Sequence, residues 1–430
     1  MDPQAQALNK VIENQNSNIL EMLSSRGKNI FFPKQGILSQ SAQARGNKIN
    51  ATIGEAREDD GSSMHLEELE AKIDLAVQTI FPYAPSYGKP ELRDKWKEFI
   101  YKKNPSLGNK IFSKPIATNG LTHGLSTAAY MFVDEGDTVV FSDLYWENYD
   151  LIFENGFGAR IDTFELFKAG EFNTQALDRK LSEIKKDKII LLLNFPNNPS
   201  GYTPLISEVD EIVRIIEKQA KSGKKIVVLI DDAYFGLVYE KNVFPESIFV
   251  RLINLHENIL AVKIDGPTKE DYVWGFRVGF ISYGIKGGSS ELYETLEAKT
   301  AGAIRGNISN ISHLSQSLLL NVYLSESYES TKQKKYGILK SRCEILKECF
   351  KKEEYKKYFE PLPFNSGYFM CVAVKKGLEA EKIRLHLLEK YSTGVIVFGN
   401  VIRLAFSATP QSKIPELIEN LYNACCDLDA

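Results

Sequence analysis

One lysine in the sequence stands where it could bond covalently to a ligand. The apolar run at 259–262 predicts a buried strand that ends at Asp265-Gly266-Pro267, because glycine and proline break regular structure. Lys269 lies just beyond that strand, and Arg277 follows eight residues later between two glycines. A lysine in this place could form a Schiff base with an aldehyde, and the arginine could hold a phosphate. The alternative interpretation is a surface lysine on a turn.

The segments around Lys269 alternate between helices and short apolar strands. Runs of consecutive apolar residues predict strands that are covered on both faces, which is typical of a mostly parallel sheet between helices. We therefore predict an α/β fold, with a large domain whose sheet is sandwiched by helices and a smaller α/β domain. The predicted strands are 138–141, 189–193, 225–230 and 259–262, and the predicted helices are 121–132 and 209–216.

The chain is long for a single core at 430 residues, so more than one domain is expected. Apolar residues recur at helical spacing from Ile338 to Phe350 and predict a long helix that leaves the large domain. Another helix is predicted to begin at 66–71. The predicted division is an N-terminal arm with part of the small domain at 1–60, a large domain at 61–320 and a C-terminal small domain at 321–430.

The overall composition argues against several classes of partner. A net charge of −3 and a hydrophobic content of 43% are ordinary for a globular protein and give no reason to expect nucleic acid or an anionic membrane. The amino terminus lacks the basic and apolar segments of a secretory signal, and no apolar run approaches the roughly 20 residues of a membrane helix. We therefore predict a cytoplasmic protein without a nucleic-acid or membrane partner.

Neither metal nor nucleotide chemistry is indicated. The five cysteines lie late in the chain and the five histidines are scattered, without metal-ligand spacing, so no metal site is predicted. Gly156-Phe157-Gly158 begins a dinucleotide-binding pattern, but Ile161 occupies the place of its third glycine. The sequence has no Walker motif.

Loops at the carboxyl ends of strands are where an open α/β sheet places its ligand site. Gly120, Leu121 and Thr122 precede a predicted helix, whose N-terminal N–H groups could bind a phosphate. Trp146 follows the strand at 138–141 and could stack on an aromatic ligand. The alternatives are a plain turn at Gly120 and a buried structural tryptophan.

Two later loops carry a more specific pattern. Asn198 belongs to the loop 194–201, which two prolines and a glycine make irregular, and its amide could donate to an anionic oxygen. Asp231 and Tyr234 follow the strand at 225–230. The carboxylate could pair with a protonated ring nitrogen, and the tyrosine could donate to a phenolate oxygen. A plain turn and a solvated strand end are the alternatives.

The order and spacing of these segments resemble the pyridoxal-phosphate-dependent aminotransferases of fold type I, the aspartate aminotransferase superfamily, over about residues 45–410. The resemblance implies pyridoxal 5′-phosphate as cofactor and a ping-pong transfer of an amino group between an L-amino acid and a 2-oxo acid. It implies that Lys269 bonds the cofactor and then acts as the general base. The other implied cofactor contacts are Gly120, Leu121, Thr122 and Arg277 at the phosphate, Trp146 on the ring face, Asn198 and Tyr234 at the phenolate oxygen, and Asp231 at the ring nitrogen.

The resemblance also implies residues that contact the substrate or a neighbouring subunit. Arg403 matches the arginine that binds the substrate α-carboxylate, and Gly54 lies in the loop that lines the substrate. Tyr83 resembles the tyrosine that reaches the phosphate of the neighbouring subunit, which implies a homodimer with shared active sites. Arg305 falls where dicarboxylate-specific members place an arginine that reaches the partner's site, so aspartate or glutamate is implied as substrate. A surface or interface arginine is the alternative.

The sequence departs from the family pattern near the lysine and near the ring nitrogen. Gly266 stands where the family commonly has a hydroxyl residue, so Thr268 supplies the side-chain phosphate contact or no side chain does. Tyr149 stands where some members carry a histidine that supports the aspartate. Glu270 and Asp271, directly after the lysine, are unusual, and the sequence alone gives no physical account of them.

Two other functions remain open on the same residues. A C–S lyase, decarboxylase or synthase of this fold shares the cofactor chemistry, because only the orientation of the substrate selects the bond that breaks. A non-catalytic binding protein is the second alternative. The intact set of Lys269, Asp231, Asn198, Arg277 and Arg403 argues against it.

Overall fold

Helices and strands alternate along most of the chain. The structure is a computed structural model that describes residues 1–23, 28–30, 36–67, 69, 75–375 and 377–429. Within these residues the helices are α1 (Pro3–Met22), α2 (Ile37–Gln43), α3 (Pro90–Lys103), α4 (Gly120–Phe132), α5 (Thr174–Glu183), α6 (Ile206–Lys221), α7 (Phe249–Leu252), α8 (Ser290–Asn307), α9 (His313–Tyr323), α10 (Tyr328–Cys349), α11 (Ala380–Tyr391) and α12 (Ile414–Asp429). Single 3₁₀ turns lie at Val77–Thr79, Pro105–Leu107, Trp274–Phe276, Glu353–Lys357, Phe406–Ala408 and Gln411–Lys413, and a π-helical turn lies at Asp150–Asn155.

The strands form one large sheet and several smaller ones. They are β1 (Ile49–Asn50), β2 (Ile116–Thr118), β3 (Thr138–Ser142), β4 (Arg160–Phe164), β5 (Phe167–Lys168), β6 (Glu171–Phe172), β7 (Lys188–Asn194), β8 (Lys225–Asp231), β9 (Ile259–Asp265), β10 (Gly279–Gly284), β11 (Phe359–Pro361), β12 (Phe369–Val374), β13 (Thr393–Gly394), β14 (Ile396–Phe398) and β15 (Val401–Ala405). The large sheet has the strand order β2-β10-β9-β8-β7-β3-β4. Its strands from β9 to β4 run parallel, and β10 is antiparallel to both of its neighbours. This arrangement confirms the predicted mostly parallel sheet.

The central strands are apolar because both faces of the sheet are covered. β7 is buried from Ile189 to Asn194, and β8 is buried from Ile226 to Asp231. Each fully buried aliphatic side chain contributes about 1.5–3 kcal/mol, so this interior holds the strand ends firmly. Asn194 pairs with Asp231 in the register of these strands, and Asp231 pairs in turn with Ile264 of β9. The loops that leave these strands therefore begin at one edge of the sheet.

A four-stranded antiparallel sheet, in the order β11-β12-β15-β14, follows later in the chain. The N-terminal strand β1 pairs in parallel with β13, with Ile49 opposite Thr393. The helix predicted at 338–350 is the C-terminal part of α10. Half of the residues of the helix predicted at 66–71 lie outside the described residues, and the domain boundaries after residues 60 and 320 stay a prediction.

None of the described helices combines the length and the apolar composition that a bilayer-spanning segment needs.

Candidate functional site

The predicted site residues converge on one cavity of about 560 Å³. The cavity lies at the ends of β7, β8 and β9, and Phe369 of β12 and Arg403 of β15 complete its wall. Eleven of the residues predicted from the sequence line it: Gly54, Leu121, Thr122, Trp146, Asn198, Asp231, Tyr234, Thr268, Lys269, Arg277 and Arg403. The structure therefore brings together side chains that are far apart in the sequence.

Lys269 lies in the short loop that follows β9, and its amine points into the cavity. The Lys269 Nζ atom donates a hydrogen bond to the Gly54 carbonyl oxygen at 2.9 Å and lies 5.3 Å from the centre of the Tyr234 ring. Removal from water lowers the pKa of this amine to about 8. A substantial fraction of the amine is therefore neutral near pH 8 and able to act as a nucleophile or a base.

Arg277 and the beginning of α4 form a cradle for an anion. The helix begins at Gly120, which has a φ of 77°, and a Cβ atom there would lie 2.9 Å from the guanidinium carbon of Arg277. Glycine is required for this close approach. Arg277 follows the 3₁₀ turn Trp274–Phe276 and donates from Nη1 to the Trp274 carbonyl oxygen at 3.0 Å. A helix N-terminus beside a guanidinium group is suited to a phosphate.

The departure at Gly266 has a steric reason. A Cβ atom on Gly266 would lie 2.9 Å from the Gly279 Cα atom and 3.1 Å from the Leu121 Cδ1 atom. Any side chain at this position would thus collide with the backbone of β10 and with Leu121. Thr268 is the nearby hydroxyl residue, and its Oγ1 atom is buried without a hydrogen-bond partner. Such an orphaned buried hydroxyl indicates a ligand that completes it.

Asp231 ends β8 and is buried, with 3% of its surface exposed. One carboxylate oxygen accepts a hydrogen bond from the Tyr149 hydroxyl at 2.6 Å, and the other accepts one from the Ala233 N–H at 3.1 Å. Burial raises the pKa of Asp231 to about 6, although both hydrogen bonds act in the opposite direction. Neither donor is a cation, so the site favours a ligand that brings a positive charge to this carboxylate.

Arg403 lies on β15 and is almost fully buried. Its Nη1 atom donates to the Asn198 side-chain oxygen at 3.2 Å and its Nη2 atom to the Thr52 carbonyl oxygen at 3.0 Å, while Nε has no partner. The guanidinium group stacks on Phe369, with its carbon 4.2 Å from the ring centre. Burial lowers the pKa of Arg403, but a guanidinium group stays charged. It is an available partner for a carboxylate in the cavity.

Several residues of the site were not predicted from the sequence. Asn194 donates to the Asp231 carbonyl oxygen at 2.8 Å and accepts from the Asn198 N–H at 2.8 Å, so it holds the two predicted residues together. Thr52 and Phe369 support Arg403 as described above. Their signal in the sequence is weak, because a threonine just after a short strand and a phenylalanine in an apolar strand are typical of any core.

Of the three remaining predicted residues, one lines the cavity and two lie on the surface away from it: Trp146, and Tyr83 and Arg305, respectively. Trp146 lines the cavity and its ring meets Tyr149 edge to face at 5.7 Å. Tyr83 is 88% exposed, and Arg305 is exposed near the end of α8. Neither of the two lines the cavity of this chain. Since both were assigned to a neighbouring subunit's site, their roles stay a prediction.

Comparison with known proteins identifies the family. The family described as aminotransferase class I and II matches residues 46–421. The chain belongs to this family. The match confirms the predicted family and fold class. It also confirms the predicted cofactor, because enzymes of this family use pyridoxal phosphate.

Individual relatives are distant. A crystal structure of an aminotransferase from Anaerococcus prevotii is 27% identical, with a TM-score of 0.84 over 94% of this chain and 99% of that chain. The aspartate aminotransferase of Thermus thermophilus is 19% identical with a TM-score of 0.73 over 94% of this chain and 99% of that chain, which shows the fold alone. A probable aspartate/prephenate aminotransferase from Aquifex aeolicus is 29% identical over 46% of this chain and 48% of its own length. The chain spans about half the length of the first curated relatives it matches.

The residues of the cavity fit pyridoxal phosphate. The orphaned Thr268 hydroxyl and the cradle at Gly120 and Arg277 suit its phosphate. The buried carboxylate of Asp231, which lacks a cationic hydrogen-bond donor, suits its ring nitrogen. Among the described residues, Lys269 is the lysine that lines the cavity, and its amine would be available to the aldehyde.

Proposed function

We propose that this chain is an aminotransferase that moves an amino group between an L-amino acid and a 2-oxo acid by a ping-pong mechanism. The observation that supports this most directly is that Lys269, Asp231, Arg277 and Arg403 all line one cavity. Each of these side chains has the charge and burial that a phosphorylated pyridine and an amino-acid carboxylate require. Bound pyridoxal phosphate supplies an electron sink for the carbon atom that loses its proton.

Lys269 has two tasks in this proposal. Its amine first holds the cofactor, and once the substrate amine has replaced it, the free amine takes the proton from the substrate Cα atom. A pKa of about 8 suits both tasks, because the neutral amine is the nucleophile and the base. The buried carboxylate of Asp231 keeps the ring nitrogen protonated, which a neutral side chain would not do.

Arg403 orients the amino acid. Its planar guanidinium group can bind both oxygens of the α-carboxylate, and a lysine could not reproduce this fork. Asn198 and Thr52 fix the guanidinium group from the protein side. The orientation of the substrate then decides that the Cα–H bond is the one that breaks.

The preference for aspartate or glutamate is the finer part of the proposal. Among the described residues that line the cavity, the cations are Lys269, Arg277 and Arg403, and each already has a role. A second substrate carboxylate therefore needs a cation from elsewhere, and the exposed Arg305 of a partner subunit is the candidate. Several curated relatives are named aspartate aminotransferase. The proposal thus includes a homodimer in which Tyr83 and Arg305 reach the neighbouring cavity.

Two measurements test the reaction. Borohydride treatment of the protein loaded with pyridoxal phosphate is expected to fix the cofactor on the peptide that contains Lys269. The Lys269→Ala variant should lose both this adduct and the formation of a keto acid from an amino acid and 2-oxoglutarate. Lys286→Ala changes an exposed lysine outside the cavity and serves as the matched control. Transamination by Lys269→Ala at the rate of the unchanged protein would reject the assignment.

A panel of amino donors tests the specificity. Arg305→Ala should lower the activity toward aspartate much more than the activity toward phenylalanine. An equal loss of activity on both substrates would reject the proposed dicarboxylate preference but not the proposed transamination. Release of carbon dioxide or ammonia from the amino acid without consumption of 2-oxoglutarate would favour a decarboxylase or lyase instead.

A further inference from the structure

The two acidic residues that follow Lys269 belong to a buried ion cluster. Glu270 and Asp271 are 4% and 1% exposed. One carboxylate oxygen of Glu270 accepts from the Lys103 amine at 2.6 Å, and the other accepts from the Lys332 amine at 2.7 Å. We define the Glu270 cluster as Lys103, Glu270, Asp271, Tyr323, Tyr328 and Lys332.

Asp271 completes the Glu270 cluster. Its two oxygens accept from the hydroxyl groups of Tyr323 and Tyr328, both at 2.9 Å, and it forms an ion pair with Lys332 at 2.9 Å. Two buried anions thus face two cations, and every carboxylate oxygen is hydrogen-bonded. Buried ions are tolerated only when they are paired in this way.

The Glu270 cluster fixes the backbone on both sides of Lys269. The Asp271 N–H donates to the Pro267 carbonyl oxygen at 2.9 Å, which closes the turn that carries the lysine. The Tyr368 hydroxyl donates to the Lys269 carbonyl oxygen at 2.6 Å. Because the Glu270 side chain is held from two directions, the cluster restrains the backbone next to Lys269.

The two cations come from different helices. Lys103 ends α3, and Lys332 lies on α10. Further residues on the same face of α10 pair with the segment after Gly54: Lys335 with Glu58 at 2.8 Å, and Arg342 with Asp59 at 2.8 Å. The carbonyl oxygen of Gly54 accepts the hydrogen bond from Lys269. One helix therefore holds the lysine loop and the loop that the lysine amine contacts.

We propose that Glu270 is a positioning residue for Lys269. Its two ion pairs hold the lysine loop at the place from which the amine reaches the cofactor aldehyde. The proposal rests on the proposed function, because it takes Lys269 as the group that bonds the cofactor. In that step the amine nitrogen attacks the aldehyde carbon, a C=N bond forms and the aldehyde oxygen leaves as one water molecule. A misplacement of about 1 Å can slow such a step by about a hundredfold.

The test separates bond formation from binding. Full-length protein is freed of cofactor and mixed with pyridoxal 5′-phosphate, and the visible absorbance of the lysine-bound cofactor is followed by stopped flow. Pyridoxamine 5′-phosphate carries an amine in place of the aldehyde, so its affinity reports on the cavity alone. Glu270→Gln is expected to slow bond formation at least about tenfold while the affinity for pyridoxamine 5′-phosphate stays within about a factor of two.

The control is Glu297→Gln. Glu297 lies on α8 and pairs at 2.8 Å with Arg93 of α3, the helix that also carries Lys103. Both side chains are about as buried as Glu270. The pair does not contact the lysine loop. This variant should unfold more easily yet bond the cofactor at the rate of the unchanged protein. If Glu270→Gln does not fold, the same rate is measured in Lys103→Met instead. This variant removes one of the two ion pairs of Glu270 and leaves the pair with Lys332 in place.

Three results would overturn the proposal: an unchanged rate in Glu270→Gln, an equal loss of bond formation and of affinity for pyridoxamine 5′-phosphate, or an equal slowing in Glu297→Gln. An unchanged rate in Lys103→Met would do the same if Glu270→Gln cannot be folded. Failure of the unchanged protein to bond pyridoxal phosphate would instead reject the proposed function, and this proposal with it.

Discussion

Asp231 and Glu270 are both buried carboxylates close to the reactive lysine, but their surroundings differ in kind. Asp231 lines the cavity and receives hydrogen bonds only from neutral donors, a tyrosine hydroxyl and a backbone N–H. Burial therefore raises its pKa to about 6. Burial also opposes the ionisation of Glu270, but Lys103 and Lys332 outweigh it and bring the pKa of Glu270 down to about 2.

The difference indicates that the protein itself neutralises Glu270, whereas Asp231 is suited to bind a cationic ligand. Glu270 is satisfied by the protein, so its charge stabilises the folded chain. Burial disfavours the ionised form of Asp231, and no cation of the protein hydrogen-bonds to it. A carboxylate in such surroundings is typical of functional sites. A ligand with a protonated ring nitrogen would provide the missing cation. The variants below test this comparison, beginning with the largest expected effect.

The first prediction concerns the stability of the cofactor-free protein. Glu270→Gln should lower the free energy of unfolding by about 3–5 kcal/mol, because it removes a buried carboxylate and leaves two half-buried ammonium groups with too few anions. Asp231→Asn should instead raise it by about 1–3 kcal/mol at pH 7, because it removes a carboxylate whose pKa is higher in the folded state than in the unfolded state. Urea unfolding monitored by circular dichroism measures both.

The pH dependence provides the control for that prediction. Folded Asp231 has a pKa of about 6, whereas an unfolded aspartate has one of about 3.9. The folded state therefore binds the extra proton, and the unchanged protein should lose stability relative to Asp231→Asn as the pH rises from about 4 to about 6. A constant difference between the two proteins across this range would contradict the assignment.

The second prediction concerns turnover. Asp231→Asn should lower kcat by about 10²–10³-fold, the usual effect of removing one electrostatic contact to developing charge. The affinity for pyridoxal phosphate should fall less, because the phosphate cradle at Gly120 and Arg277 is unchanged. Steady-state kinetics with aspartate and 2-oxoglutarate provide the measurement. Full activity in this variant would place the ring nitrogen elsewhere.

The comparison also shows what the sequence could and could not predict. Lys269, Asp231 and Asn198 follow strands whose apolar runs are evident, and the ends of parallel strands meet at one edge, so their convergence was predictable. The strand pattern likewise predicted the mostly parallel sheet. Local periodicity was sufficient for these features, because each depends on a short segment of chain.

The Glu270 cluster was not predictable, because its members are far apart. Lys103 and Lys332 are 167 and 62 residues away from Glu270, and nothing in a local pattern links them. Glu270 and Asp271 are unusual in the sequence, and the structure shows that both carboxylates are paired within this cluster. Thr52 and Asn194 were missed for a similar cause, since a polar residue at a strand end is identified as part of a site only when its partner is known.

The third prediction concerns the pH at which Lys269 becomes reactive. Its pKa of about 8 means that the neutral amine becomes scarce below that pH. The rate of bonding to pyridoxal phosphate should therefore rise about tenfold per pH unit between pH 6 and pH 7.5 and level off above about 8. Stopped-flow absorbance over this range is the measurement. A rate that keeps rising to pH 10 would show that the amine is solvated like an ordinary lysine.

The smallest expected effect concerns Tyr149, which supports Asp231 in place of the histidine of some family members. Tyr149→Phe removes the 2.6 Å hydrogen bond to the carboxylate and keeps the aromatic ring. A hydrogen bond to a charged group contributes about 1.5–3 kcal/mol, so kcat should fall at least about tenfold, although less than in Asp231→Asn.

The same variant distinguishes support of the charge from simple packing. Loss of the hydroxyl donor should raise the pKa of Asp231 further, because this hydrogen bond favours the ionised form. The acidic limb of the pH profile of kcat/KM should then move to higher pH in Tyr149→Phe. In Tyr145→Phe, which removes a hydroxyl that pairs with Asp150 at 3.2 Å instead, the limb should stay in place. An equal shift in both variants would mean that Tyr149 acts through packing and that Asp231 depends on burial and its backbone donor alone.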